Sequence, residues 1–201
     1  MPGPIAAGRV VAGSARGIRL LGPGDGTRPL GDRLKEALFA ILEPDLRGAS
    51  FLDLYAGSGA GGIEALSRGA GTATFVDADA KAAGTIRRNL EATRLEAAPA
   101  TIVRADVRDW LAGSARGVFD AILVDPPYDQ PKLLLGALQA IAAAGSPPRP
   151  SALLATAGTV VAKHATRTSL PARIGLLASA RERRFGDSAL TFYRWSAEEA
   201  G

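Results

Sequence analysis

Asp53-Leu54-Tyr55-Ala56-Gly57-Ser58-Gly59 follows directly on an apolar run that starts at Phe51, and a helical pattern through Ile63, Leu66 and Ser67 follows it, stopping at Gly69. A short strand, a glycine turn and a helix in that order make one β-α unit. Open α/β sheets bind ligands at the carboxyl ends of such strands. Glycine lets the chain turn tightly and lets a ligand approach the backbone with no Cβ in the way. The first turn of the next helix offers free N–H groups. Two readings compete at this point. Gly57, Gly59 and Gly62 satisfy the G-x-G-x-x-G pattern of dinucleotide binding, with Asp77 about 20 residues on. Asp53 separates them, because a carboxylate beside the loop repels a pyrophosphate but suits the ammonium of a methionine moiety.

Strand and helix alternate downstream of this unit. Thr72–Val76 reads as a strand ending in Asp77, followed by a helix over Ala80–Leu90 and a strand at Thr101–Val103. A helical turn around Val107–Leu111, a strand at Phe119–Val124 and a helix at Leu133–Ala144 come next. Gly145–Pro150 is a loop, and strands are expected near 159–162, 174–179 and 189–195, the last two joined by a turn at Gly186-Asp187. This regular alternation predicts an α/β chain with a doubly wound, mostly parallel sheet. A closing antiparallel hairpin suits a Rossmann-like methyltransferase fold of seven strands.

Upstream, Arg9–Ala12 and Ile18–Leu21 flank the turn Gly13–Gly17, a small β-hairpin carrying Arg9, Arg16 and Arg19. After a Gly/Pro-rich loop, Asp32 precedes a helix on which Leu34, Leu38, Ile41 and Leu42 share a face, ending before Pro44. The expected division is therefore an N-terminal extension at 1–48 and a catalytic domain at 49–201.

The 201 residues suffice for one self-supporting core. The absence of cysteine excludes disulfides, thiolate metal sites and cysteine nucleophiles, and fits a reducing cytoplasm. No apolar run reaches the roughly 20 residues of a membrane span, and the early Gly and Pro do not read as a signal peptide, so a cytoplasmic protein is expected. Charge is uneven: residues 1–50 carry seven Lys/Arg against five Asp/Glu, 51–162 carry ten against eleven, and 163–195 carry seven against two. If the basic flanks meet in space they form a face suited to phosphates; they read equally as ordinary solvated surface.

The second candidate site is Asp125-Pro126-Pro127-Tyr128, at the end of the fourth strand of the sheet. Two prolines fix φ and remove two N–H donors, leaving a rigid ledge of acceptors, the Asp125 carboxylate and the Pro126 carbonyl, with an aromatic ring beside them. An exocyclic base amine is a poor nucleophile because its lone pair is delocalised into the ring. Acceptors that grip both N–H bonds favour pyramidal nitrogen and stabilise the charge developing on it. Tyr128 would stack on the target base. The same four residues also read as an ordinary strand-ending turn.

On these residues the expected cofactor is S-adenosylmethionine, held by Asp53, Tyr55, Ala56, Gly57, Ser58, Gly59, Asp77, Ala78, Asp106, Val107 and Asp125. Asp77 accepts both ribose hydroxyls and Asp106 an adenine amine, although Asp106 also reads as a helix N-cap. Asp125, Pro126, Pro127 and Tyr128 are the expected catalytic set. Arg9, Arg16, Arg19, Arg28, Arg33, Arg181, Arg183 and Arg184 are the expected phosphate contacts, which position without specifying. No His/Asp cluster has metal-ligand spacing, and the chain is expected to act as a monomer without a metal.

Nearly the whole chain resembles the RsmD family, bacterial methyltransferases of small-subunit ribosomal RNA that modify guanine N2. The resemblance rests on Arg9–Gly13 with Arg16-Gly17, Thr27-Arg28-Pro29, Asp32-Arg33 with Glu36–Phe39, and Asp53–Gly59. It continues in Gly62–Ala70, Asp125–Tyr128 and Phe185-Gly186-Asp187. It implies methyl transfer from S-adenosylmethionine to guanine N2 in 16S ribosomal RNA, free or in the small subunit, with Arg28–Phe39 closing over the methionine end of the cofactor and the target base. Two departures stand out. The family has small polar residues where this chain has Leu30-Gly31, so a helix cap or cofactor contact is lost, and a glutamate near Lys163, so an acidic role there is in doubt. His164, the single histidine, reads as structural. Adenine N6 or a protein glutamine amide are alternative acceptors on the same ledge, and a nucleotide-dependent oxidoreductase or a silent binding module is the alternative of another class.

Overall fold

The computed structural model describes residues 6–22, 24, 30–113, 117–147, 149 and 151–196; Arg28, with the rest of Thr27-Arg28-Pro29, lies outside them. The strands are β1 (Ala6–Arg9), β2 (Arg19–Leu21), β3 (Ser50–Leu54), β4 (Thr72–Asp77), β5 (Ala100–Arg104), β6 (Phe119–Val124), β7 (Leu154–Ala165), β8 (Arg173–Ile174), β9 (Leu177–Phe185) and β10 (Ser188–Trp195). The helices are α1 (Asp32–Leu46), α2 (Ala60–Ser67), α3 (Ala80–Ala92), α4 (Val107–Ala112) and α5 (Pro131–Ala144). β1 and β2 pair alone, and the other strands form one sheet in the order β5-β4-β3-β6-β7-β10-β9-β8. The five strands from β5 to β7 are parallel; β10, β9 and β8 add antiparallel. The count is eight where seven were expected, because the two-residue β8 pairs with the start of β9.

Period-2 alternation gives each strand a residue for each side of the sheet. Phe51, Phe75, Leu123, Val161 and Phe192 pack with α1, α2, α3 and the β1–β2 hairpin. Leu52, Leu54, Val76, Ile122, Val124 and Tyr193 pack with α4 and α5 on the other face. The order of strands reverses between β3 and β6, so the crevice at the carboxyl ends of these two is the topological switch point of the sheet. The glycine turn follows the first and the proline ledge the second.

The N-terminal segment is clasped by α2. Glu64, with no exposed surface, accepts from Val11 N at 2.8 Å, Ala12 N at 2.9 Å and Arg68 Nε at 2.9 Å. Ser67 Oγ donates to Ala12 O at 2.6 Å and accepts from Ala15 N at 2.9 Å. Gly13, at φ +83°, passes so close that a Cβ would sit 1.8 Å from Ser67 O. Buried Lys35 of α1 donates to Arg9 O and pairs with Asp32 at 3.4 Å. Ala7, Val10, Ala15 and Leu20 belong to the same apolar cluster as α1, α2 and α3, so one core runs through the expected boundary at 48.

Three sequence expectations shift. The first hairpin strand is Ala6–Arg9, not Arg9–Ala12, because the N–H groups of Val11 and Ala12 are taken by Glu64 instead of a partner strand. Helix α1 runs through Pro44 to Leu46: the proline forfeits one hydrogen bond, but the turn that contains it buries Leu46 to 2% exposure. The strand expected at 174–179 is instead β9 at Leu177–Phe185, whose charged stretch Arg181–Arg184 has no apolar alternation. Its length is set by pairing with β10, from Ser188↔Phe185 to Trp195↔Leu177.

Candidate active site

β3 delivers Asp53 to the end of the sheet beneath α2. Its Oδ2 accepts from Gly62 N at 2.8 Å, and the side chain is 2% exposed. Burial, reinforced by Asp125 and Asp77 and opposed by the Gly62 hydrogen bond, pushes its pKa up to about 8. A carboxyl in that state is poised for a cation. Gly61 and Gly62 permit the approach: a Cβ on Gly61 would lie 2.6 Å from Leu123 Cδ2, and one on Gly62 2.3 Å from the Phe75 ring.

Asp77, ending β4, receives Gly57 N at 2.8 Å and Asp79 N at 2.8 Å, so it braces the turn as well as facing the cavity. Gly59 N is held by Ala56 O at 2.7 Å. The N–H groups of all three glycines of the G-x-G-x-x-G pattern are thus occupied from within, two of them by carboxylates. A pyrophosphate would have to displace anions to reach them, which disfavours the dinucleotide reading. Asn89 of α3 ties the turn to the hairpin, donating to Ser58 O at 2.9 Å and exchanging hydrogen bonds with both backbone groups of Leu21.

Tyr55 stands at φ +60°, a left-handed conformation that costs a non-glycine residue about 1–2 kcal/mol. Its hydroxyl donates to Leu133 O at 3.4 Å, and burial, with the Asp106 charge, raises its pKa. Asp106 caps α4 through Arg108 N at 2.8 Å, a bond that lowers its pKa. It is also 43% exposed and lines the cavity, so capping and ligand contact coexist.

Across the switch point the ledge forms. Val124 of β6 is in register with Ala162 of β7, which places Asp125 beside Lys163. Lys163 Nζ donates to Asp125 Oδ1 at 2.6 Å and lies 4.5 Å from the centre of the Tyr128 ring. Burial pushes the Asp125 carboxyl up and Lys163 pulls it part of the way back. Burial pulls the Lys163 ammonium down, but the charge and hydrogen bond of Asp125, together with Tyr128, outweigh it and leave its pKa raised. Tyr128 OH donates to Ser188 Oγ at 2.7 Å, anchoring the ring to β10.

One cavity of about 680 Å³ joins the two halves. Sites for small molecules typically measure about 300–1,000 Å³. Asp53, Tyr55, Ala56, Gly57, Ser58, Asp77, Ala78, Asp106 and Val107 line it, together with Asp125, Pro126, Pro127 and Tyr128; Gly59 is not among the lining residues. Leu30 also lines it, next to the N-cap Gly31, which makes no side-chain cap hydrogen bond. Arg9, Arg16, Arg19, Arg33, Arg181, Arg183 and Arg184 are exposed and outside the cavity. The hairpin packs on α2 and α3, whereas β9 lies toward the far edge of the sheet, and α1 bridges from α2 to β9. Arg9 pairs with Asp32 at 3.0 Å and Arg184 with Glu182 at 2.6 Å. His164 is buried: Nδ1 donates to Ala165 O at 3.0 Å, so Nε2 accepts from Thr191 Oγ1 at 2.8 Å, a structural role. Among the lining residues to which sequence reading gave no role in the site are Lys163 and Arg167, with Asp79 and Asp129. A lysine directly after the apolar run Val160–Ala162 was the available signal for Lys163, since a buried ammonium needs a partner. Among the described residues no group of side chains could hold a metal, and no helix is long and apolar enough to cross a membrane.

Three comparisons bear on this geometry. Residues 8–194 match the family described as "Conserved hypothetical protein 95". The chain is 36% identical over 191 residues to the "Putative rRNA methyltransferase YlbH" of Bacillus subtilis, covering 92% of this chain and 98% of that protein. It is 37% identical over 122 residues to the "Ribosomal RNA small subunit methyltransferase D" of Haemophilus influenzae, a stretch that covers 60% of this chain and 63% of that protein. Among solved structures, the "Putative methyltransferase yhhF from Escherichia coli" superposes with a TM-score of 0.80 at 30% identity, over 98% of this chain and all of that one.

Proposed function

We propose, from the premise that the chain belongs to the RsmD family of ribosomal RNA methyltransferases, that it transfers a methyl group from S-adenosylmethionine to the exocyclic N2 of a guanine in 16S ribosomal RNA. The observation that carries this reading is that Asp53 and the Asp125–Tyr128 ledge open into one cavity across the switch point.

The residues present fit the methyl donor. Asp53 is a buried carboxyl with a raised pKa and no cationic partner among the described residues, aimed at the cavity, and it would take the α-ammonium. Asp77 would take the ribose hydroxyls, with Tyr55, Ala78, Asp106 and Val107 around the adenine. When bound, the donor supplies an electrophilic sulfonium methyl group. Asp125 and Pro126 O hold the two N–H bonds of the amine, Tyr128 stacks on the base, and the amine loses its proton to water after transfer. The ledge is rigid before substrate arrives, because Pro126 and Pro127 fix its backbone and Lys163 and Ser188 fix its side chains. Residues 1–48 act as the extension that covers the cofactor end and, with β9, offers arginines to phosphates of the RNA. The protein acts in the cytoplasm, where its substrate is.

The test is methyl transfer from labelled S-adenosylmethionine to undermodified small ribosomal subunits and to free 16S RNA, followed by nucleoside analysis. N2-methylguanosine is the expected product. Methylated adenine, or no transfer to RNA with cofactor binding intact, refutes the guanine assignment.

A further inference from the structure

Lys163 sits at the centre of the ledge. Its side chain is 3% exposed, and its ammonium spans two groups of the site, the Asp125 carboxylate at 2.6 Å and the Tyr128 ring at 4.5 Å. Such a position is costly for an ammonium unless it is paired. Among the described residues no donor reaches Asp125 Oδ2, so the pair occupies one oxygen of the carboxylate and leaves the other. We propose that Lys163 is a positioning residue for the reaction: its ammonium keeps Asp125 ionised and turned by Oδ1, so that Oδ2 is the acceptor that meets the substrate amine. This inference rests on the reading of the cavity as an amine methylation site.

The charge balance of the cavity explains why the role is needed. Asp53 from β3, Asp77 from β4, Asp106 before α4, and Asp125 and Asp129 from the ledge all face this space. Lys163 and Arg167 from the β7 side are the lining cations among the described residues, and Lys163 is the buried one. With so many carboxylates in a partly dry site, the least costly state protonates one of them. A protonated Asp125 would present an O–H donor from one oxygen and keep only a neutral carbonyl as acceptor, a weaker grip on the amine and no charge to stabilise the positive nitrogen. The ammonium favours charge on one carboxyl over the other: burial raises both, but Asp125 touches Lys163, which pulls it part of the way back, whereas Asp53, with no cation beside it among the described residues, is pushed up to about 8. Lys163 also sets the Tyr128 ring against the carboxylate, since one ammonium contacts both.

The experiment follows Asp125 directly. Carbon-13 NMR of the side-chain carboxyls, assigned with Asp125→Asn, gives its titration midpoint in the wild type, Lys163→Gln and Lys163→Arg. Loss of a cation in contact should raise the midpoint by about 1–3 pH units in Lys163→Gln, while Lys163→Arg stays near the wild type. The acid limb of kcat for methyl transfer should move up by the same amount in Lys163→Gln, with activity recovering as pH rises. An unchanged midpoint overturns the proposal, and so does a shifted midpoint with an unchanged pH profile. Should Lys163→Gln fail to fold, Lys163→Met fills the same space without a polar atom and serves the same comparison. If the wild type transfers no methyl group to RNA, the functional reading falls, and the NMR midpoint still decides whether Lys163 controls Asp125.

Discussion

Binding of the methionine end of a ligand should expel a proton from the protein, and Asp53 is the reason. Its carboxyl is pushed up to about 8, by burial first, with Asp125 and Asp77 adding to it and the Gly62 N–H opposing. An α-amino group beside an electron-withdrawing group, the peptide carbonyl at a chain terminus or the sulfonium in the methyl donor, titrates at about 7.7–8.0. At pH 6 both partners are therefore protonated before they meet, whereas the ion pair they form holds one proton, so close to one proton is released per ligand. Near pH 8 each partner is about half protonated and the net release falls to about zero. By linkage the apparent affinity peaks near pH 8 and is about 25-fold weaker at pH 6, a difference of about 2 kcal/mol. Calorimetric titration with S-adenosylmethionine at pH 6, 7 and 8, in buffers of different ionisation enthalpy, counts the protons directly. Asp53→Asn should abolish the release and flatten the acid side of the affinity profile. Heats at pH 6 that do not depend on the buffer, or a wild-type pH dependence that survives in Asp53→Asn, would refute the assignment of the ammonium to Asp53.

The same group makes a prediction for the free protein. Its folded pKa lies above the unfolded value, so between about pH 4 and pH 8 the folded state holds the extra proton and stability falls as pH rises, by up to about 1.4 kcal/mol per unit. Urea unfolding at pH 5 and pH 7 should show that slope in the wild type and lose it in Asp53→Asn. Gly13→Ala should cost about 2–4 kcal/mol in urea unfolding, because it combines a positive φ with a Cβ 1.8 Å from Ser67 O; a change below 1 kcal/mol, about the scale of an ordinary surface substitution, would mean that the hairpin is not clasped there. Asp125→Ala should lower kcat by about 10²–10³ while the cofactor still protects against heat; unchanged methyl transfer would remove the ledge from the mechanism. Replacing Arg181, Arg183 and Arg184 with Glu should weaken RNA binding and make its dependence on salt less steep, and equal affinity at every salt concentration would assign these arginines to surface solvation alone.

What was legible in the sequence was local. A strand running into Asp53–Gly59, the recurring β-α pattern and the proline pair at Asp125 each depend on residues within about one turn or one strand of each other, and each stands where expected. Glu64 and Ser67 were visible as part of Gly62–Ala70, but their task was not, because the Val11–Ala15 backbone they hold is more than 50 residues away. The end of α1 was misread for a related reason: propensity marks Pro44 as a stop, and the burial of Leu46 that overrides it exists only once the core has formed. The extent of β9 was set by its partner β10 and not by its own charged residues.

The sequence by itself determined the order of elements, the two motifs and the family, because backbone geometry at glycine and proline and the periodicity of apolar residues are short-range properties. Only the tertiary structure decided that Lys163 stands against Asp125 and that Asp53 has no cation beside it among the described residues. Those are consequences of strand order and register: β3, β6 and β7 are neighbours in the sheet although far apart in the chain, and the charge a buried carboxyl carries depends on which strand lies next to it.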